Sequence, residues 1–214
     1  VKRTLINEAE NKDLRAEILR QAEAYVGLGR EAPDPSALAP AFVTTGIVVG
    51  VQDGGDAFFD AALAVAKASQ NQRERRSIFN VLASTGPKDK VTALLTDALG
   101  ETFQGQEALF MYYAALANEK SVRDAAWVLF KTNFDALLTR IPEIRKPQTA
   151  TAVSAFCETD EIAAAEAFFF ENAEKIPGYE RPLAQSVETA RLCEALKAAK
   201  ADELAAALGV EIDG

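Results

Sequence analysis

Apolar residues along this chain recur at the three- and four-residue spacing of a single helix face, segment after segment. Glycine, proline and asparagine interrupt the pattern at Gly27 to Pro35, Gly54–Gly55, Gly86–Pro87, Gly100 to Gly105, Asn118 to Ser121, Pro142 to Pro147 and Pro177–Gly178. The stretches between these breaks predict helices over 11–27, 35–51, 56–69, 72–85, 87–99, 105–117, 121–141, 147–157, 160–175, 179–199 and 201–208. Start signals agree with them. Thr159 precedes Asp160 and Glu161, acidic residues that suit the positive end of a helix. Pro87 fits a first helical turn, and Ser121 with Asp124 three residues on resembles a capping box. One stretch dissents: FVTTGIVVGV, Phe42 to Val51, is β-branched and taken alone reads as a strand. No second strand-like run offers it a hydrogen-bonding partner, so it is expected to be a buried helix packed tightly at Gly46 and Gly50.

Consecutive helices with short joints pack antiparallel. Helix starts at Pro87, Ser121 and Asp160 recur at intervals of 34 and 39 residues, within the range of two-helix repeats, although the sequence echo (FFDAAL, LLTDAL, NFDALL) is weak. The expected fold is therefore all-α, a single domain over 1–214 built as an irregular, right-handed stack of antiparallel helical hairpins, a HEAT-like superhelix. A compact helical bundle is the competing arrangement. The softest joint is expected at Gly29 to Pro35.

Composition narrows the function. The 214 residues are 49% hydrophobic and 26% charged, ordinary for a globular protein. No apolar run approaches the ~20 residues of a membrane span, and the N-terminus lacks an apolar signal region. A start at Val1 rather than Met points to a fragment or a processed product. The net charge of -9 argues against nucleic acid as a partner. The one local basic cluster, QRERRS around Arg73 to Arg76, reads as a solvated helix face. Two cysteines, Cys157 and Cys193, are too few for a disulfide framework and read as small buried hydrophobes. A single bridge between them stays open, and with it the compartment, cytoplasmic or exported. The chain has no histidine. That removes HExxH metal sites and histidine-based nucleophilic or acid–base catalysis, and it leaves zinc only two distant cysteines and carboxylates.

Other candidate chemistry is thin. VQDGGD, Val51 to Asp56, lacks the Lys-Ser/Thr of a phosphate loop and is a turn. The many acidic residues fall at helix starts and on polar faces. Three consecutive phenylalanines, Phe168 to Phe170, spread over about 200° of helix and call for burial on more than one side, with an interface to a missing domain as the alternative. Of the adjacent Tyr112 and Tyr113, one is expected in the core and the other on a surface or cavity. Arg181, Gln185 and Glu188 share one helix face, a polar stripe that on a concave surface would face a ligand.

AAWVLFKTNFDALLTR, around Trp127, resembles the aWxFlxxNwdxl pattern in the C-terminal helical domain of the puromycin-sensitive and endoplasmic-reticulum type of zinc aminopeptidase, with Trp127, Asn133 and Phe134 on the pattern's Trp, Asn and following aromatic. The flanking text is similar in order. GDAFFDAALAVAKASQNQRERRSIFNVLAST resembles the Gly-Asp, helix, ExRxxxlxaLa segment, and GQEALFMYYAALANEKSVRDAAW the Gln-Asp, helix, Asn, Trp run. Further on, FCETDEIAAAEAFFFENAEKIPGYERPLAQSVETARL resembles the stretch from the F-x-T turn to R-x-l-x-Q-x-x-E, which sets Arg181, Gln185 and Glu188 on the last motif. The resemblance covers roughly residues 30 to 205. It departs at LCEALKAAKADELAAAL, which lacks the family's Trp in the penultimate helices.

The resemblance implies that zinc, HExxH and the distal Glu ligand lie in a separate catalytic domain of the same polypeptide. This chain would then be a non-catalytic cap, without metal or peptidase activity of its own. It would close over the active site, shape the peptide cavity and contact peptide substrate, with Arg181, Gln185 and Tyr112 as the residues placed to do so. The alternative function is a free-standing helical-repeat scaffold for a protein partner.

Overall fold

The computed structural model describes residues 2–7 and 10–208, and among them there is no β-strand. The chain divides into two compact units, Val1–Arg140 and Ile141–Gly214. The joint expected at Gly29 to Pro35 lies inside the first of them.

The first unit contains α1 (Lys2–Asn7), α2 (Lys12–Val26), α3 (Val43–Asp53), α4 (Gly55–Ala68), α5 (Gln72–Thr85), α6 (Lys88–Asp97), α7 (Gly105–Leu116), α8 (Lys120–Thr132) and α9 (Phe134–Arg140). Neighbours in sequence pack as hairpins from α2 to α8. Beneath them α3 packs on α5, α5 on α7 and α7 on α9, while α6 packs on α8. This alternation makes a two-layer stack, the arrangement that the short joints predict. Phe58, Phe59, Phe79, Leu82, Tyr112 and Phe130 are buried between the layers. Each large apolar side chain removed from water there contributes roughly 1.5–3 kcal/mol.

The helices begin where local chemistry satisfies their free N–H groups. Asn11 accepts from Leu14 N, and Asn71 accepts from Arg73 N and Glu74 N. Glu107 folds back onto the Gln104 N–H at 3.0 Å in front of α7. The cap predicted at Ser121 is absent: α8 begins one residue earlier, and the Ser121 hydroxyl donates to Glu119 Oε1 at 2.8 Å instead.

The β-branched run is indeed a helix, α3. A Cβ on Gly50 would lie 2.0 Å from the Phe58 ring, so α4 approaches α3 as closely as it does only over bare backbone. The helix predicted over 35–51 is shorter than expected. Ala39 is extended ahead of Pro40, as a residue before proline prefers, and Pro40–Phe42 form one 3-10 turn before α3 starts. The helix predicted over 121–141 breaks at Asn133, whose φ of -103° and ψ of 12° lie outside the helical range, and α9 restarts at Phe134. A second close approach holds this end of the unit together. A Cβ on Gly105 would sit 1.7 Å from the Arg140 carbonyl oxygen, and the Arg140 guanidinium donates to Leu99 O and Phe103 O.

The basic cluster is not wholly solvated. Arg75 is buried, with 8% of its surface exposed. Its guanidinium makes two parallel bonds to Glu107, at 2.9 and 3.0 Å, and also donates to Ala66 O, Lys67 O and Thr102 O. One side chain thus ties together the end of α4, the loop before α7 and α7 itself.

The second unit is built from a 3-10 segment (Glu143–Ala155), α10 (Thr159–Glu171), a short 3-10 turn (Ala173–Lys175) and α11 (Glu180–Leu208). The helix predicted over 147–157 is 3-10 rather than α and starts earlier, with Pro147 inside it. The two helices predicted over 179–199 and 201–208 are one, of 29 residues. α11 packs along the 3-10 segment and on α10. Val153, Phe156, Ile162, Phe169, Leu183 and Val187 are buried there. Of the three phenylalanines, Phe169 is buried, Phe168 half-buried and Phe170 54% exposed, so α10 buries one face only and the double-sided burial predicted for it does not occur.

Cys157 and Cys193 are not small buried hydrophobes. They form a disulfide, with Cα atoms 5.4 Å apart, that joins the turn before α10 to the middle of α11. Cys157 is half-buried and Cys193 exposed. Neither position is distinguishable from a buried alanine-like site by sequence context, because Cys157 follows AVSAF and Cys193 sits in the Ala- and Leu-rich ARLCEALKAA.

Candidate functional site

The second unit carries a polar groove of about 640 Å³ between the 3-10 segment and the first three turns of α11. One wall is Gln148, Thr151 and Ser154; the other is Arg181, Gln185, Ser186 and Thr189, with Pro147, Gly178 and Pro182 at its end. A 3-10 helix has three residues per turn, so Gln148, Thr151 and Ser154 stand in a row above one another. On α11 the spacing of four sets Arg181, Gln185 and Thr189 along one side. Two different periods therefore produce two parallel polar edges.

The groove's hydroxyl protons are spent locally. Thr151 donates to Gln148 O and Ser154 to Thr151 O, each at 2.8 Å; Ser186 donates to Pro182 O at 2.8 Å and Thr189 to Gln185 O at 3.0 Å. Each hydroxyl then presents oxygen lone pairs outward, so the walls are rich in acceptors. Arg181 is the charged residue in the lining, exposed, and its guanidinium has no hydrogen-bond or ion-pair partner among the described residues. The surface can accept from the N–H groups of an extended chain and can donate, through Arg181, to a carboxylate or carbonyl.

The residues singled out from sequence separate here. Arg181 and Gln185 line this groove. Glu188 lines a neighbouring one with Glu166, Val187, Arg191 and Leu192. Tyr112 belongs to the first unit and has no exposed surface. Its hydroxyl donates to Leu95 O and accepts from Asn133 Nδ2, both at 3.4 Å. Burial pushes the Tyr112 hydroxyl above its ordinary pKa, against the smaller opposite effect of Asn133, so it stays protonated. Its place is in the core, and Tyr113, half-buried, is the outer one of the pair.

Sequence reasoning missed Gln148, Thr151 and Ser154. The signal is a polar residue at every third position of QTATAVS, a spacing that matches the 3-10 period and not the α-helical one. Among the described residues no group of three or more His, Cys, Asp or Glu is arranged to hold a metal ion.

A family model described as "ERAP1-like C-terminal domain" matches residues 2–192. Aminopeptidase M1-B of Oryza sativa subsp. japonica is 30% identical over 136 residues, which cover 63% of this chain and 15% of that protein. Aminopeptidase M1-D of the same organism is 25% identical over 136 residues, with the same shares. The chain thus spans only about 15% of the length of the curated relatives that it matches.

Proposed function

The chain belongs to the ERAP1-like C-terminal domain family, and from that premise we propose that it is the non-catalytic C-terminal domain of a zinc-dependent aminopeptidase, closing over the active site and shaping the cavity that receives the peptide. The observation that carries this reading is the groove, where an unpaired Arg181 faces rows of hydroxyl and amide oxygens. Such a surface recognises peptide backbone without demanding a particular side chain, as a domain that sorts peptides by length requires.

Zinc does not fit this chain's own residues, which include no histidine and no metal-holding cluster among those described. In this reading the ion belongs to the catalytic domain of the same polypeptide. This domain's part is to bind, orient and exclude. Exposed Phe170, Leu192 and Leu196 give the second unit apolar surface for a neighbouring domain.

The test is Arg181→Ala in the aminopeptidase that carries this domain, assayed on short and long peptides with the same N-terminal residue. A charge-assisted hydrogen bond contributes about 1.5–3 kcal/mol, so KM for the long peptide should rise about tenfold or more while the short peptide is cleaved as before. An equal change for both lengths, or none, contradicts the assignment of Arg181.

A further inference from the structure

We propose that the Cys157–Cys193 disulfide is a reversible redox clasp that holds the outer half of α11 against the start of α10. Two observations meet at this bond. First, burial along α11 ends just before it: the apolar Leu183, Val187 and Ala190 and the polar Ser186 are buried, and beyond Ala190 no described side chain of the helix is. Second, the ties beyond Ala190 to α10 and its preceding turn include the Thr159 hydroxyl to Glu194, the Lys197–Glu158 ion pair and the Arg191–Glu166 pair at 3.8 Å, all polar and at least partly open to solvent. Exposed contacts of this kind hold little by themselves. The disulfide is the one covalent contact in the set, and it closes across 36 residues.

The bond is also open to chemistry. Cys193 is exposed and Cys157 only half-buried. A dithiol reductant attacks Sγ of Cys193, forming a mixed disulfide and releasing Cys157 as a thiolate, which takes up a proton. The second thiol of the reductant then closes the reductant's own disulfide and frees Cys193. Two electrons pass to the protein bond and two thiols result. The outer half of α11 is then a helix anchored at one end only, in a sequence rich in Ala, Leu, Lys and Glu that stays partly helical but frays. Neither cysteine lines the Arg181 groove, so the clasp stands whether or not that groove binds peptide.

The experiment is amide hydrogen exchange on the full chain, air-oxidised and after dithiothreitol, with thiol alkylation and mass read in parallel. Expected are no alkylated thiols before reduction and two after it. Exchange should rise about tenfold or more for amides of residues 191–200 and 158–161 on reduction, while amides of 149–153 and 183–190 stay protected. Cys193→Ser should exchange like the reduced wild-type protein with or without dithiothreitol. Two alkylatable thiols in the oxidised protein would overturn the proposal, as would unchanged exchange after reduction. A rise that spreads through 149–153 and 183–190 would equally overturn it, because the bond would then be a staple for the whole unit and not a local clasp.

Discussion

Arg75 and Glu107 show what a single pair of residues does in a stacked-helix protein. The carboxylate and guanidinium meet through two bonds in a nearly dry site, and the guanidinium's remaining donors reach three backbone carbonyls. Removing one partner leaves the other charged, buried and unpaired, which costs about 3–5 kcal/mol. Glu107→Gln should therefore destabilise the chain by about 3 kcal/mol, read as a lower midpoint in urea. The pair also carries a pH signature. Burial alone would push the Glu107 carboxyl up, but the bonds from Arg75 and from the Gln104 N–H outweigh it and hold the group below its ordinary value of 4.5. Its stabilising effect is thus complete at neutral pH and is lost as pH falls below 4.5 through the depressed value. The gap in stability between wild type and Glu107→Gln should narrow between pH 5 and pH 3, whereas a pair that did not matter would leave the two acid curves parallel. Nothing in QRERRS marks Arg75 over Arg73 or Arg76, because the choice depends on which face α5 turns towards α7. That is a tertiary fact.

The elements themselves were more legible. Most predicted helices exist with ends displaced by a few residues, because apolar spacing and end-capping residues are local signals. Asn71 is a good example: it accepts from two free N–H groups of α5, and Asn71→Ala should cost about 1 kcal/mol, seen as a fall in Tm without change in helix content by circular dichroism. Legibility failed where the local signal was ambiguous. Glu143–Ala155 has apolar residues that suit either helix period, and it is a long 3-10 segment, with Pro147 inside it, that packs against α11. That same period aligns Gln148, Thr151 and Ser154, so an error about one element hid half of the groove. Arg181 and Gln185 were legible because they lie on an ordinary α-helix whose four-residue spacing is easy to read. The disulfide was not legible, since 36 residues of intervening chain say nothing about where the two ends return.

For the whole molecule, the all-α architecture and the family match over residues 2–192 agree on an ERAP1-like C-terminal domain. No helix among the described residues is long and apolar enough to cross a membrane. The central claim is that this domain decides which peptides reach the active site. The most direct measurement compares the parent aminopeptidase with and without the domain on peptides of increasing length that share one N-terminal residue. Scoring kcat/KM as the ratio of long to short cancels any difference in the amount of active enzyme. If the domain walls the peptide cavity, removing it should change that ratio by about tenfold or more, because the proposed cavity wall and the Arg181 groove would leave together. A ratio unchanged at every length would contradict it.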